Sequence, residues 1–128
     1  MTAREAYVMV VDDDPEVLNL VVMRLELAGY RVTSAGDAWQ EVIQAQGLKI
    51  GLVITDIKMP GVGSGVDAYR QLRRASPQLP VIFITGMKLE EARKIIPPDP
   101  RARLIGKPIN FEELRLVIKE LTGVDRPL

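Results

Sequence analysis

Apolar residues in this chain follow two rhythms: short unbroken runs, and longer stretches in which they return every three or four positions. Tyr7-Val8-Met9-Val10-Val11, Leu52-Val53-Ile54-Thr55-Asp56 and Pro80-Val81-Ile82-Phe83-Ile84-Thr85 are rich in Val and Ile, and each is bounded by polar or turn-forming residues. Such runs predict strands covered on both faces, with Leu52–Asp56 as the central one. Tyr30 to Ala35 and Ala102-Arg103-Leu104-Ile105-Gly106 predict two weaker strands.

Helical spacing fills the intervals. Val17, Leu18, Val21, Val22 and Leu25 lie on one face, with Asp14 suited to the N-cap, Pro15 to the first turn and Gly29 to the C′ position. A second helix is predicted from Gly36-Asp37 to about Gln46, with Trp39, Val42 and Ile43 inward, and a third from Val66 to Ala75, with Val66, Tyr69 and Leu72 inward. Ile57 to Gly65 is too rich in Gly and Pro for regular structure and predicts a long loop. Lys88 to Ile96 predicts a short helix that Pro97-Pro98-Asp99-Pro100 must end, because proline lacks the amide donor and clashes with the preceding turn. Asn110, with Glu113 three residues on, makes a capping box for a last helix that buries Leu114, Val117, Ile118 and Leu121 and closes at Gly123.

Buried strands alternating with amphipathic helices imply an α/β fold: five parallel strands with helices on both faces. In such sheets the ligand crevice lies beyond the carboxyl ends of the strands. Asp12, Asp13, Asp56, Thr85 and Lys107 would all emerge there, although they are far apart in sequence. Carboxylates packed this closely repel one another unless a cation sits among them, and an all-oxygen donor set suits Mg²⁺ with phosphate as co-ligand. Asp56, at the end of the central strand, is then the candidate to attack phosphorus and become an acyl phosphate. Lys107 would neutralise phosphoryl oxygens, and the Thr85 hydroxyl would donate to another. Asp14 reads as a helix cap rather than a ligand.

Composition narrows the function. The 128 residues fit a single domain, and the tail after Gly123 is expected to fray. Seventeen basic and seventeen acidic residues leave no net charge, which gives little electrostatic support to direct nucleic-acid or membrane binding. Without Cys or His, thiolate and imidazole metal sites, disulfides and His-based catalysis are excluded. No signal-peptide pattern occupies the start, and no apolar stretch reaches the roughly 18 residues a bilayer span needs, so a cytoplasmic protein is expected.

Four motifs, each after an apolar strand, carry a resemblance: Val10-Val11-Asp12-Asp13, Asp56-Ile57-Lys58-Met59-Pro60-Gly61, Phe83-Ile84-Thr85-Gly86 and Gly106-Lys107-Pro108. Together they resemble the receiver domain of bacterial two-component response regulators. The resemblance implies a flavodoxin-like (βα)5 three-layer sandwich with strand order 2-1-3-4-5. It also implies that Asp56 accepts a phosphoryl group from a phosphohistidine on a sensor histidine kinase or phosphotransfer protein. Asp12, Asp13 and Asp56 would hold Mg²⁺, Lys58 would add its backbone carbonyl, and Thr85 and Lys107 would sense the phosphorylated state. The Lys107-Pro108 bond would be cis. Such a domain is a signalling element rather than an enzyme, and its output is a population shift toward a downstream effector protein.

The chain departs from the family at three places. Leu104 stands where the family usually has Tyr or Phe, Gly65 lies nine positions past Asp56 where eight is common, and Pro97 to Pro100 replaces the end of the usual fourth helix. Two rival functions remain. A receiver-like docking module would keep the fold without phosphorylation. A haloacid-dehalogenase-like phosphatase would use Asp12-Asp13-Asp14, but Glu16 stands where that family wants Thr or Val.

Overall fold

Each continuous apolar run forms a strand because it has something to bury on both sides. A computed structural model describes residues 6–37, 47–57 and 65–128 of the chain. In order, the elements are β1 (Tyr7–Val11), α1 (Pro15–Leu27), β2 (Arg31–Ala35), β3 (Ile50–Asp56), α2 (Gly65–Ala75), β4 (Val81–Thr85), α3 (Leu89–Ile95), β5 (Ala102–Gly106) and α4 (Phe111–Thr122). All strand pairs are parallel, in the order β2-β1-β3-β4-β5.

Alternate residues of each strand point to opposite faces, so the core divides in two. Val8, Val10, Leu52, Ile54, Ile82, Ile84 and Ile105 pack with Val21 and Leu25 of α1 and with Leu114, Ile118 and Leu121 of α4. Met9, Val11, Val53, Val81 and Phe83 pack with Val66, Tyr69 and Leu72 of α2 and with Ala92 of α3. This is the flavodoxin-like three-layer α/β sandwich that the resemblance implies.

The helix ends obey local chemistry. Asp14 caps α1 by accepting from the Glu16 amide at 3.0 Å, and Asn110 caps α4 by accepting from the Glu113 amide at 3.0 Å. Gly29 and Gly123 take the positive φ angles, 92° and 77°, that end these helices in a left-handed turn. The expected helix over 88–96 is shorter, Leu89–Ile95, because Pro97 forces the residue before it out of helical geometry: Ile96 has φ −92° and ψ 122°. The predicted second helix, with Trp39, Val42 and Ile43, and the Met59-Pro60-Gly61 turn lie outside the described residues.

One expectation fails. The tail after Gly123 does not fray but folds back over the end of α1. Val124 and Leu128 pack against the core layer of α1 and α4. Asp125 pairs with Arg115 at 2.6 Å, and the Arg126 guanidinium donates to the Ala28 carbonyl at 3.0 Å and stacks over Tyr30 at 4.8 Å. Gly29 makes room for it, since a Cβ there would lie 2.5 Å from Nη1 of Arg126. Arg126→Ala removes the stacking and the hydrogen bond together, and should lower stability by about 1–2 kcal/mol in urea denaturation. An unchanged midpoint would mean that the tail rests on the surface without contributing.

Candidate functional site

Parallel register carries the ends of the strands to a common rim. Val11 lies beside Thr55, Asp56 beside Ile84 and Thr85 beside Gly106. Asp12 and Asp56, each one residue beyond the Val11–Thr55 pair, therefore leave the sheet at the same level, and Lys107 leaves it just beyond Thr85.

The side chains meet there. Asp12 is buried; its Oδ1 accepts from the Asp14 amide at 2.9 Å, and its Oδ2 lies 2.8 Å from Nζ of Lys107. The same ammonium lies 3.0 Å from Oδ2 of Asp56, which is also buried. Lys107 thus bridges two carboxylates. Burial by itself would pull its pKa down, but the two carboxylates outweigh that and hold it above the ordinary lysine value. Asp13 is exposed, and one oxygen from each of Asp12, Asp13 and Asp56 lies within 4.8 Å of the others.

That triangle fits a small hard cation. Oxygens bound to one octahedral Mg²⁺ stand about 3 Å apart when adjacent and about 4.2 Å apart when opposite, so the three carboxylates would draw closer together around the ion. Oδ2 of Asp12 is buried without a hydrogen bond of normal geometry, its contact with Lys107 being an ion pair. A buried carboxylate oxygen in that condition is a ready ligand atom.

Thr85 sits on the same rim, but its hydroxyl is engaged locally. Its Oγ1 accepts from the Met87 amide at 3.0 Å, and its carbonyl accepts from the Lys107 amide at 2.7 Å. Of the site residues predicted from sequence, the structure brings Asp12, Asp13, Asp56 and Lys107 into one cluster and places Thr85 beside it. Lys58 lies outside the described residues. The Lys107-Pro108 bond is cis.

Two contacts escaped the sequence reading. Lys107 touches Asp12 as well as Asp56. Gly65, seen in the sequence only as a marker of loop length, packs its backbone against the Asp56 carbonyl: a Cβ on it would lie 2.0 Å from that oxygen. The signal was present as a glycine at the start of a helix, where a better helix former would ordinarily stand.

Residues 8–119 match the family profile described as the response regulator receiver domain. The chain belongs to this family. Receivers are signalling domains, and this one has relatives in two kinds of protein. It is 32% identical over 120 residues to the probable transcriptional regulatory protein TcrX of Mycobacterium tuberculosis, covering 91% of this chain and 51% of that protein. It is 27% identical over 118 residues to the sensor kinase CckA of Brucella abortus, covering 91% of this chain and 12% of that one. The receiver thus spans about half the length of the first relative and far less of the second.

Among solved structures, a response regulator receiver protein from Sinorhizobium medicae superimposes with a TM-score of 0.83 at 22% identity, over 93% of this chain and 95% of that one. The response regulator TrrA from Thermotoga maritima, solved in complex with Mg²⁺ and BeF, superimposes with a TM-score of 0.77 at 25% identity, over 91% and 98% of the two chains. Among the described residues, no helix of this receiver is long and apolar enough to cross a membrane.

Proposed function

We propose that this receiver accepts a phosphoryl group on Asp56 from a phosphohistidine of a sensor histidine kinase or phosphotransfer protein in the cytoplasm, and passes the signal to a downstream effector protein. The observation that carries the reading is the seat of Asp56: a buried carboxylate at the end of the central strand, with an ammonium 3.0 Å away and two further carboxylates beside it. An Asp56 oxygen forms the new bond to phosphorus as the bond from phosphorus to the donor nitrogen breaks, and the imidazole leaves with the electron pair.

Asp12, Asp13 and Asp56 would hold Mg²⁺, with Lys58 adding its backbone carbonyl, and the bound ion supplies positive charge that offsets the incoming phosphoryl group and orients it. Lys107 provides a second positive charge from the β5 side. The Thr85 hydroxyl has one proton to give and two acceptor positions, so it can donate to a phosphoryl oxygen while keeping the Met87 amide. Recruiting Thr85 and Lys107 to the phosphoryl group biases the domain toward the conformation its effector prefers. The chain turns nothing over, apart from slow loss of its own phosphoryl group.

Acetyl phosphate with Mg²⁺ tests this by intact-mass measurement. The wild type should gain one phosphoryl group, the gain should vanish when the metal is chelated, and Asp56→Asn should gain none. A wild type of unchanged mass would refute the reading and leave docking without phosphorylation in its place. Steady phosphate release without a phosphoprotein would point to a phosphatase instead.

A further inference from the structure

Asp99 lies in the proline segment that sets this chain apart, and its carboxylate is almost wholly enclosed. Its Oδ2 accepts from the Tyr69 hydroxyl at 2.5 Å and from Nε of Arg73 at 3.0 Å, with the Nη2 end of the guanidinium at 2.9 Å. Its Oδ1 accepts from the Arg101 amide at 2.8 Å, and its carbonyl accepts from the Ala102 amide at 3.1 Å. One residue between two prolines therefore ties α2 to the first residue of β5. Charge-assisted bonds converging on one shielded carboxylate are among the stronger polar contacts a small domain can make.

The tie continues in both directions. The Tyr69 ring meets Phe83 of β4 edge-on at 5.2 Å, and the Arg73 guanidinium lies 5.3 Å from the Tyr69 ring. At its other end, α2 begins with Gly65 against the Asp56 carbonyl. Neighbouring α3 is held much more lightly. It has seven residues, no side-chain cap at its start and Ala92 as its one buried residue, while Leu89 and Ile95 stand exposed. It hangs between the Thr85–Met87 hydrogen bond on the site side and the Asp99 cluster on the other.

We propose that Asp99 is a latch that keeps α2 and the start of β5 together as one unit, so that α3 alone rearranges when Asp56 is modified, hinging at Ile96-Pro97-Pro98. For its trigger the latch rests on the phosphoacceptor reading; for its existence it does not. Leu104 faces Phe83 across the β4–β5 pair, so no aromatic ring at position 104 can carry movement from the site to the outer strand. The latch confines the change to the face that α3 presents.

Residue-resolved amide exchange, with Mg²⁺ and beryllofluoride as the probe of the activated state, tests the latch. In the wild type, activation should alter exchange in Glu91–Ile95 by about fivefold or more while Arg101 and Ala102 stay within about twofold. Asp99→Ala should speed Arg101 exchange by about tenfold before activation and make Arg101 and Ala102 respond to it. Asp99→Asn, which keeps the shape and an acceptor but not the charge, should fall between, and Tyr69→Phe should loosen the same amides without disturbing the ring on Phe83. Loss of Arg101 protection on activating the wild type, or wild-type exchange in the Asp99 variants, would overturn the latch. If the probe changes no amide at all, the phosphoacceptor reading fails, and the unactivated variants still decide whether the latch exists.

Discussion

Gly65→Ala should cost at least about 2–3 kcal/mol of stability and impair phosphoryl uptake with it, because the added methyl collides with backbone rather than with a yielding side chain. The new Cβ would lie 2.0 Å from the Asp56 carbonyl oxygen, 3.1 Å from the carbonyl carbon and 3.3 Å from Cα of Ile57. Something must move. If α2 retreats, Val66, Tyr69 and Leu72 withdraw from their core layer; if β3 yields, the Asp56 carboxylate leaves the position where Lys107 and Asp12 meet it. Against a typical total of about 5–15 kcal/mol, either adjustment is large. Gly86→Ala is the control, since a Cβ at that rim position meets nothing within 4 Å. Urea denaturation and acetyl phosphate uptake measured on both variants check the claim, and equal behaviour of the two would show that the close approach at Gly65 is unimportant.

Lys107→Met should destabilise the protein by about 3 kcal/mol, because it leaves two buried carboxylates facing each other without their shared counter-charge. The figure sits at the low end of what breaking a buried pair costs, since the lysine side chain is 21% exposed and is screened in part by water. Mg²⁺ should restore more stability to the variant than it adds to the wild type, because the ion takes over the missing positive charge without competing with an ammonium. The pH dependence follows from the raised pKa of Lys107. A lysine whose folded pKa lies above its unfolded value of about 10.4 contributes fully below that pH and loses its contribution as pH rises through the folded value. The gap between wild type and variant should thus hold through neutral pH and narrow only in strong alkali. Equal unfolding midpoints at pH 7, or equal gains from Mg²⁺, would contradict this account.

The site was legible because it is built from strand ends. Each of Val11, Thr55, Ile84 and Gly106 closes an apolar run or immediately precedes its polar end, and a parallel sheet aligns such ends whatever the spacing between them. The caps were legible for a similar reason: Asp14 and Asn110 bond to amides two and three residues away. Contacts made across long separations were not. Nothing local to Arg126 says that its guanidinium will reach Ala28, and nothing in the Pro97 to Pro100 segment says that Asp99 will meet Tyr69 and Arg73.

By itself, the order of residues determined the α/β class, the two-sided core and the set of groups crowded at one rim, because hydrophobic periodicity and capping act over a few residues. Tertiary structure alone decided that Lys107 would bridge Asp12 and Asp56, that Gly65 would touch the Asp56 carbonyl and that the tail would close over Gly29. Those outcomes turn on distances of a few ångströms between segments that pack against each other only after the sheet has formed, and no local pattern records them.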